Sequence, residues 1–141
     1  MTRISFAIIS ILFLTQFISM AQNSHSKIKQ DNGGLTVDAF YKKVNNKERI
    51  VLVYFSADWC VPCIKLKPII EQIETEEKDR VEVLNLDVDD NPKIATYFEI
   101  NTLPLFILYK NGKKVWERNM FISKADLLKA INLYAIKTNA K

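Results

Sequence analysis

Cysteine is nearly absent: Cys60 and Cys63 are the only two in 141 residues. They allow at most one intramolecular disulfide, and it would close a ring too small to staple distant parts of a fold together. A disulfide-dense scaffold is excluded, which leaves the pair a chemical role. Histidine is scarcer still, with His25 alone in a polar amino-terminal stretch. There it reads as a solvated tail residue, and a structural zinc site would be short of its four ligands. Arginine is also rare, at 4 against 16 lysines, so the side chain best suited to bidentate phosphate capture is mostly missing. The lysines are scattered among 16 acids at a net charge of +4, with no basic stripe. Nucleic acid is therefore excluded as a partner. What is present, 48% hydrophobic and 26% charged residues, is an ordinary globular balance over a length that fits one domain.

The amino terminus does not read as part of that domain. Arg3 precedes an apolar run, Ile4 to Phe13 and on through Leu14, Phe17 and Ile18, which meets Ser19-Met20-Ala21. Small residues at these last positions are what a signal peptidase reads, so residues 1–21 are expected to be a cleaved secretory signal peptide. The mature protein is then expected to be periplasmic or secreted. The alternative is an uncleaved amino-terminal membrane anchor, but the run falls short of the ~20 residues that cross a bilayer. Residues 22–34 are polar, aperiodic and contain Gly33-Gly34, and read as a flexible lead-in.

Beyond them the periodicity is clear. From Thr36, the residues Val37, Phe40, Tyr41 and Val44 form the stripe of an amphipathic helix. Ile50 to Phe55 is a continuous β-favouring run, which suits a central strand buried on both faces. Cys60 to about Lys78 carries Ile64, Leu66, Ile69, Ile70 and Ile73 at helical spacing, with Pro68 expected to kink the helix without ending it. Val81 to Leu86 is a strand, and Asp90-Asn91-Pro92 offers caps and a first-position proline for a short helix through Tyr97. Leu105 to Tyr109 and Lys114 to Trp116 are antiparallel strands about an Asn111-Gly112 turn. Ser123 and Asp126 resemble a capping box for a last helix, whose buried face carries Leu127, Leu128, Ile131, Tyr134 and Ala135. The order α-β-α-β-α-β-β-α implies an α/β fold, a mixed sheet with helices on both faces.

Trp59-Cys60-Val61-Pro62-Cys63 falls between the first strand and the helix after it. A helix amino terminus presents unpaired N–H groups and the positive end of the macrodipole, and both stabilise a thiolate. Cys60 is therefore the candidate catalytic nucleophile. Cys63 lies one turn further in, near enough to attack a mixed disulfide on Cys60 and resolve it. The two-residue spacer lets the sulfurs meet, and Pro62 stiffens it. Attachment of a c-type haem would need a histidine where Ile64 stands. Asp87, Asp89 and Asp90 read as a strand end running into a helix cap, with no ligand cluster around them. Neither a metal nor a cofactor is expected. Lys65 and Lys67 either bias the field at Cys60 or form a solvated face.

From about Leu35 to Ile136 the sequence resembles a thioredoxin. The resemblance rests on Phe55-Ser56-Ala57-Asp58-Trp59-Cys60-Val61-Pro62-Cys63, Pro68, Asp87-Val88-Asp89 before Asn91-Pro92, Leu103-Pro104 and Asn111-Gly112. It implies a thioredoxin fold over residues 35–138 and a redox-active Cys60–Cys63 disulfide. It also implies a cis bond before Pro104, and a substrate groove that includes Trp59, Val61, Pro62, Leu103 and Pro104. The backbone of Leu103 would pair with an extended substrate segment. The chain departs from the family pattern at five places: Tyr54 for a buried Asp, Asn85 for a Lys, Val61 and Met120 for glycines, and Ser56 for a Trp. Without the buried carboxylate, the usual acceptor for the Cys63 proton is missing and negative charge at Cys60 is less opposed. The pair is then expected to be more oxidising.

The function that follows is an extracytoplasmic thiol–disulfide oxidoreductase. It would act as a monomer on cysteine-containing exported proteins, served by a membrane or soluble redox partner. The short span between Cys63 and Val81 leaves no room for the insert of cytochrome-maturation relatives, and no second domain is seen to support isomerase work. A reading of a different class is a redox-idle module of the same fold that binds peptides as a holdase.

Overall fold

The computed structural model describes residues 34–135. The expected signal peptide, most of the expected lead-in, His25 and residues 136–138 lie outside them. Eight elements follow in the expected order. Helix α1 spans Val37–Val44, strand β1 Ile50–Ser56, helix α2 Val61–Glu76 and strand β2 Val81–Asp87. Helix α3 spans Pro92–Tyr97, β3 Leu105–Lys110, β4 Lys113–Asn119 and α4 Lys124–Ala135.

The strands form one sheet in the order β2-β1-β3-β4. β1 runs parallel to β2, with Ile50 opposite Val81 and Ser56 opposite Asp87, while β3 is antiparallel to β1 and to β4. The Ile50–Phe55 run is thus an inner strand, and its alternation divides the core. Ile50, Leu52 and Tyr54 pack with Leu66, Ile70 and Ile73 of α2 and Leu127 and Ile131 of α4. Val51, Val53 and Phe55 pack on the other face with Phe40 and Val44 of α1 and Ile94 of α3. Successive side chains point to opposite faces, so a run apolar at every position needs cover on both. Each large apolar side chain buried this way contributes about 1.5–3 kcal/mol.

Local chemistry explains the element ends. Thr36 caps α1, its Oγ1 accepting from the Ala39 N–H at 3.2 Å. Asn111 and Gly112, with φ of 51° and 75°, form the two-residue turn between β3 and β4. Ser123 Oγ caps α4 by accepting from the Asp126 N–H at 3.1 Å and donates to the Asp126 carboxylate at 2.7 Å, so the carboxylate returns to the hydroxyl and not to the backbone N–H of a full capping box. α2 continues through Pro68, which is exposed.

Three details differ from the sequence reading. Asn91 occupies the N-cap position of α3 without capping it. Its side chain instead accepts from the Leu35 N–H and donates to the Asp87 carbonyl, both at 2.8 Å, tying the start of the domain to the β2–α3 turn. Gly34 shares in that tie and is no loose lead-in. At φ +68° it lies against the turn, where a Cβ would clash with the Asp90 carbonyl oxygen. Tyr41 and Ile64 sit on their helical stripes yet are exposed. Among the described residues no helix is long and apolar enough to cross a membrane.

Candidate active site

The carboxyl end of β1 delivers the chain into the turn Ala57–Cys60, closed by the Cys60 N–H donating to the Ala57 carbonyl at 3.1 Å. Cys60 is then the N-cap of α2, and its sulfur accepts from the Cys63 N–H at 3.3 Å. This is the thiolate-stabilising position expected from the sequence: one unpaired helix N–H is aimed at Sγ, with the dipole behind it. Val61 and Pro62 form the first helical turn, where a proline has no N–H to waste. The two cysteines are joined, with S–S 2.01 Å and Cα–Cα 5.2 Å. They are among the buried residues, at 5% and 3% exposure.

Two hollows meet the disulfide from different sides. An outer groove of about 440 Å³ is lined by Trp59, Cys60, Val61, Pro62 and Leu103, with Val88, Ile100, Asn101 and Thr102 completing its walls. A second hollow of about 190 Å³, opening to solvent, is lined by Cys63 together with Tyr54, Asp58, Lys67, Glu71 and Asn85, among others. The groove therefore takes in Cys60 and the cavity Cys63. Four of the five groove residues named from the sequence come together with Cys60. Pro104, next to Leu103 of the groove wall, is buried, follows a cis bond, and its carbonyl accepts from the Met120 N–H at 2.9 Å.

Trp59 is 67% exposed, but its indole N–H donates to Asp89 Oδ2 at 2.9 Å. Asp87 Oδ1 in turn accepts from the Asp89 N–H at 2.8 Å. These acids thus brace the groove rim. Sequence reasoning assigned them to a helix cap and missed the tie to Trp59, as it missed Val88, Ile100, Asn101 and Thr102. A contact spanning thirty positions has no periodic signature.

Tyr54 stands beneath the cysteine turn. Its hydroxyl donates to the Cys63 carbonyl at 3.3 Å, and its ring stacks on Phe106 at 4.9 Å between centroids. Burial pushes its pKa up to about 12, so the hydroxyl stays neutral in the physiological range. Asn85 is its cross-strand neighbour on β2. Neither side chain brings a charge to the disulfide.

The family model for thioredoxin matches residues 33–133. The thioredoxin of Rickettsia felis is 39% identical over 98 residues, which cover 70% of this chain and 93% of that protein. The thioredoxin of Buchnera aphidicola is 35% identical over 100 residues, 71% of this chain and 92% of the relative. A bifunctional thioredoxin reductase/thioredoxin of Mycobacterium leprae is 34% identical over 72% of this chain, a match that spans 23% of that longer protein. Among solved structures, a mutant thioredoxin from Halobacterium salinarum NRC-1 superposes with a TM-score of 0.63 at 27% identity, over 72% of this chain and 88% of its own. The chain belongs to the thioredoxin family and is a thiol–disulfide oxidoreductase.

Proposed function

We propose that this oxidoreductase works outside the cytoplasm, exchanging its Cys60–Cys63 dithiol and disulfide with cysteines of exported proteins. The observation that carries the reading is the division of the site: one hollow takes in Cys60, at the helix N-terminus, and a second takes in Cys63. Export is supported by the apolar run and small-residue ending of residues 1–21.

In the reducing direction the Cys60 thiolate attacks one sulfur of a substrate disulfide. The substrate S–S bond breaks, a Cys60–substrate disulfide forms, and the first substrate sulfur leaves with the electron pair and takes a proton. Cys63 then attacks Cys60, closing the intramolecular disulfide and releasing the second substrate thiol. The oxidising direction is the reverse. Leu103 offers its backbone to an extended substrate segment along the groove wall, Pro104 backs that wall, and Trp59, Val61 and Pro62 supply its apolar surface. The protein acts as a monomer, and a membrane or soluble partner resets its redox state.

The test is to express Cys63→Ser in an exporting host and identify the trapped partners by mass spectrometry. The expected result is covalent adducts through Cys60 with exported, cysteine-containing proteins. Adducts confined to cytoplasmic proteins would contradict the location, and a complete lack of adducts would contradict the exchange.

A further inference from the structure

Closing the disulfide requires Cys63 to lose its proton, because the thiolate and not the thiol attacks. The polar groups that line the cavity with Cys63 are Tyr54 and Ser56 of β1, Asp58 of the following turn, Lys67 and Glu71 of α2, and Asn85 of β2. Tyr54 is not the base, since its hydroxyl is committed to the Cys63 carbonyl and burial holds its proton. Ser56 and Asn85 do not titrate in the working range. Three charges remain, and their spacing differs. Lys67 follows Cys63 by four residues, so the two are neighbours on one helix face, with about 5–6 Å between Cβ atoms. Glu71 is a further turn away, about 12 Å along the axis from Cys63. Asp58 lies across the turn, ahead of Cys60. Lys67 makes no ion pair among the described residues, although Glu71 follows it by four residues on the same helix face.

We propose that Lys67 is a positioning residue for the resolving step: its ammonium stabilises the Cys63 thiolate, and the proton leaves through the cavity to solvent. The cation substitutes for a buried acceptor by favouring the ionised thiol directly. When the Cys63 thiolate attacks the Cys60 sulfur, the Cys60–substrate bond breaks and the Cys60–Cys63 bond forms. The electron pair leaves on the substrate sulfur, which is protonated by solvent. In the opposite direction Cys63 is the leaving sulfur, and the same ammonium stabilises the charge that develops on it. The assignment rests on Cys60 being the attacking thiol.

The test measures ionisation of Cys63 by thiolate ultraviolet absorbance in a Cys60→Ser background, which needs no substrate. Lys67→Gln should raise the midpoint by about half to one pH unit, that is, roughly threefold to tenfold less thiolate at a fixed pH below it. Lys67→Arg should restore it. With both cysteines present, the single-turnover resolving rate of Lys67→Gln should fall by a similar factor at low pH and recover at high pH, with an unchanged melting temperature. An unmoved midpoint in Lys67→Gln would overturn the proposal. So would Asp58→Asn or Glu71→Gln slowing resolution at every pH, the mark of a carboxylate acceptor. A Cys60→Ser protein that still reduces substrate disulfides would instead sink the assignment of the attacking thiol, a separate failure.

Discussion

The Tyr54 hydroxyl donates to the Cys63 carbonyl across 3.3 Å, linking the inner strand β1 to the first turn of the cysteine helix. A buried residue that elsewhere in the family carries a charge here carries a neutral donor. It supports the turn mechanically and leaves the electrostatics of the sulfurs to the helix terminus and to the charges around the cavity at Cys63.

Removing that donor should be a modest stability defect. Tyr54→Phe keeps the ring stacked on Phe106 and loses one neutral hydrogen bond, at a cost of about 0.5–1.5 kcal/mol. Urea unfolding at neutral pH checks this through a lower midpoint with an unchanged slope.

The same burial predicts alkaline sensitivity. Tyr54 and Tyr109 are both pushed up to about 12 by burial, from 10 for a free tyrosine. The folded state holds these protons where the unfolded chain has released them, so between pH 10 and 12 the unfolded state binds fewer protons and stability falls with pH. Below pH 10 the contribution is fully present, and it is lost as pH rises through about 12. The upper limit is about 1.4 kcal/mol per pH unit for each tyrosine. Thermal melts across this window should show the midpoint dropping, with a shallower drop in Tyr54→Phe.

Gly34 should be intolerant of a side chain. Its φ of +68° and the closeness of the Asp90 carbonyl oxygen to where a Cβ would sit combine a backbone penalty with a clash. Gly34→Ala is expected to cost more than 1 kcal/mol and to loosen the Leu35–Asn91 tie. Hydrogen exchange at the Leu35 amide should accelerate ahead of the core strands.

The redox poise follows from the missing carboxylate. With the neutral Tyr54 below the disulfide, the pair should equilibrate with glutathione buffers at a potential between about −270 and −180 mV. A value well below that interval would contradict this account of the site's electrostatics.

The architecture was largely legible from periodicity. The Ile50–Phe55 run, the stripe through Phe40 and Val44 and the Asn111-Gly112 turn each obey a local rule, and the sheet followed from their order. The nucleophile's place was legible too, because the helix terminus is a local feature of Trp59 to Cys63. The side-chain ties were not. Asn91 holding Leu35, Asp89 holding Trp59 and Tyr54 reaching Cys63 are decided by which elements meet in space. The same holds for the separation of the groove at Cys60 from the cavity at Cys63, since both sulfurs lie within one turn of helix.

The most direct test of the central claim is the rate of disulfide reduction, with a dithiol as electron source, by the wild type and by Cys60→Ser. If Cys60 is the attacking thiol of a thioredoxin-family oxidoreductase, Cys60→Ser falls to the uncatalysed background while its melting temperature stays close to that of the reduced wild type. A Cys60→Ser protein that keeps the wild-type rate would contradict it.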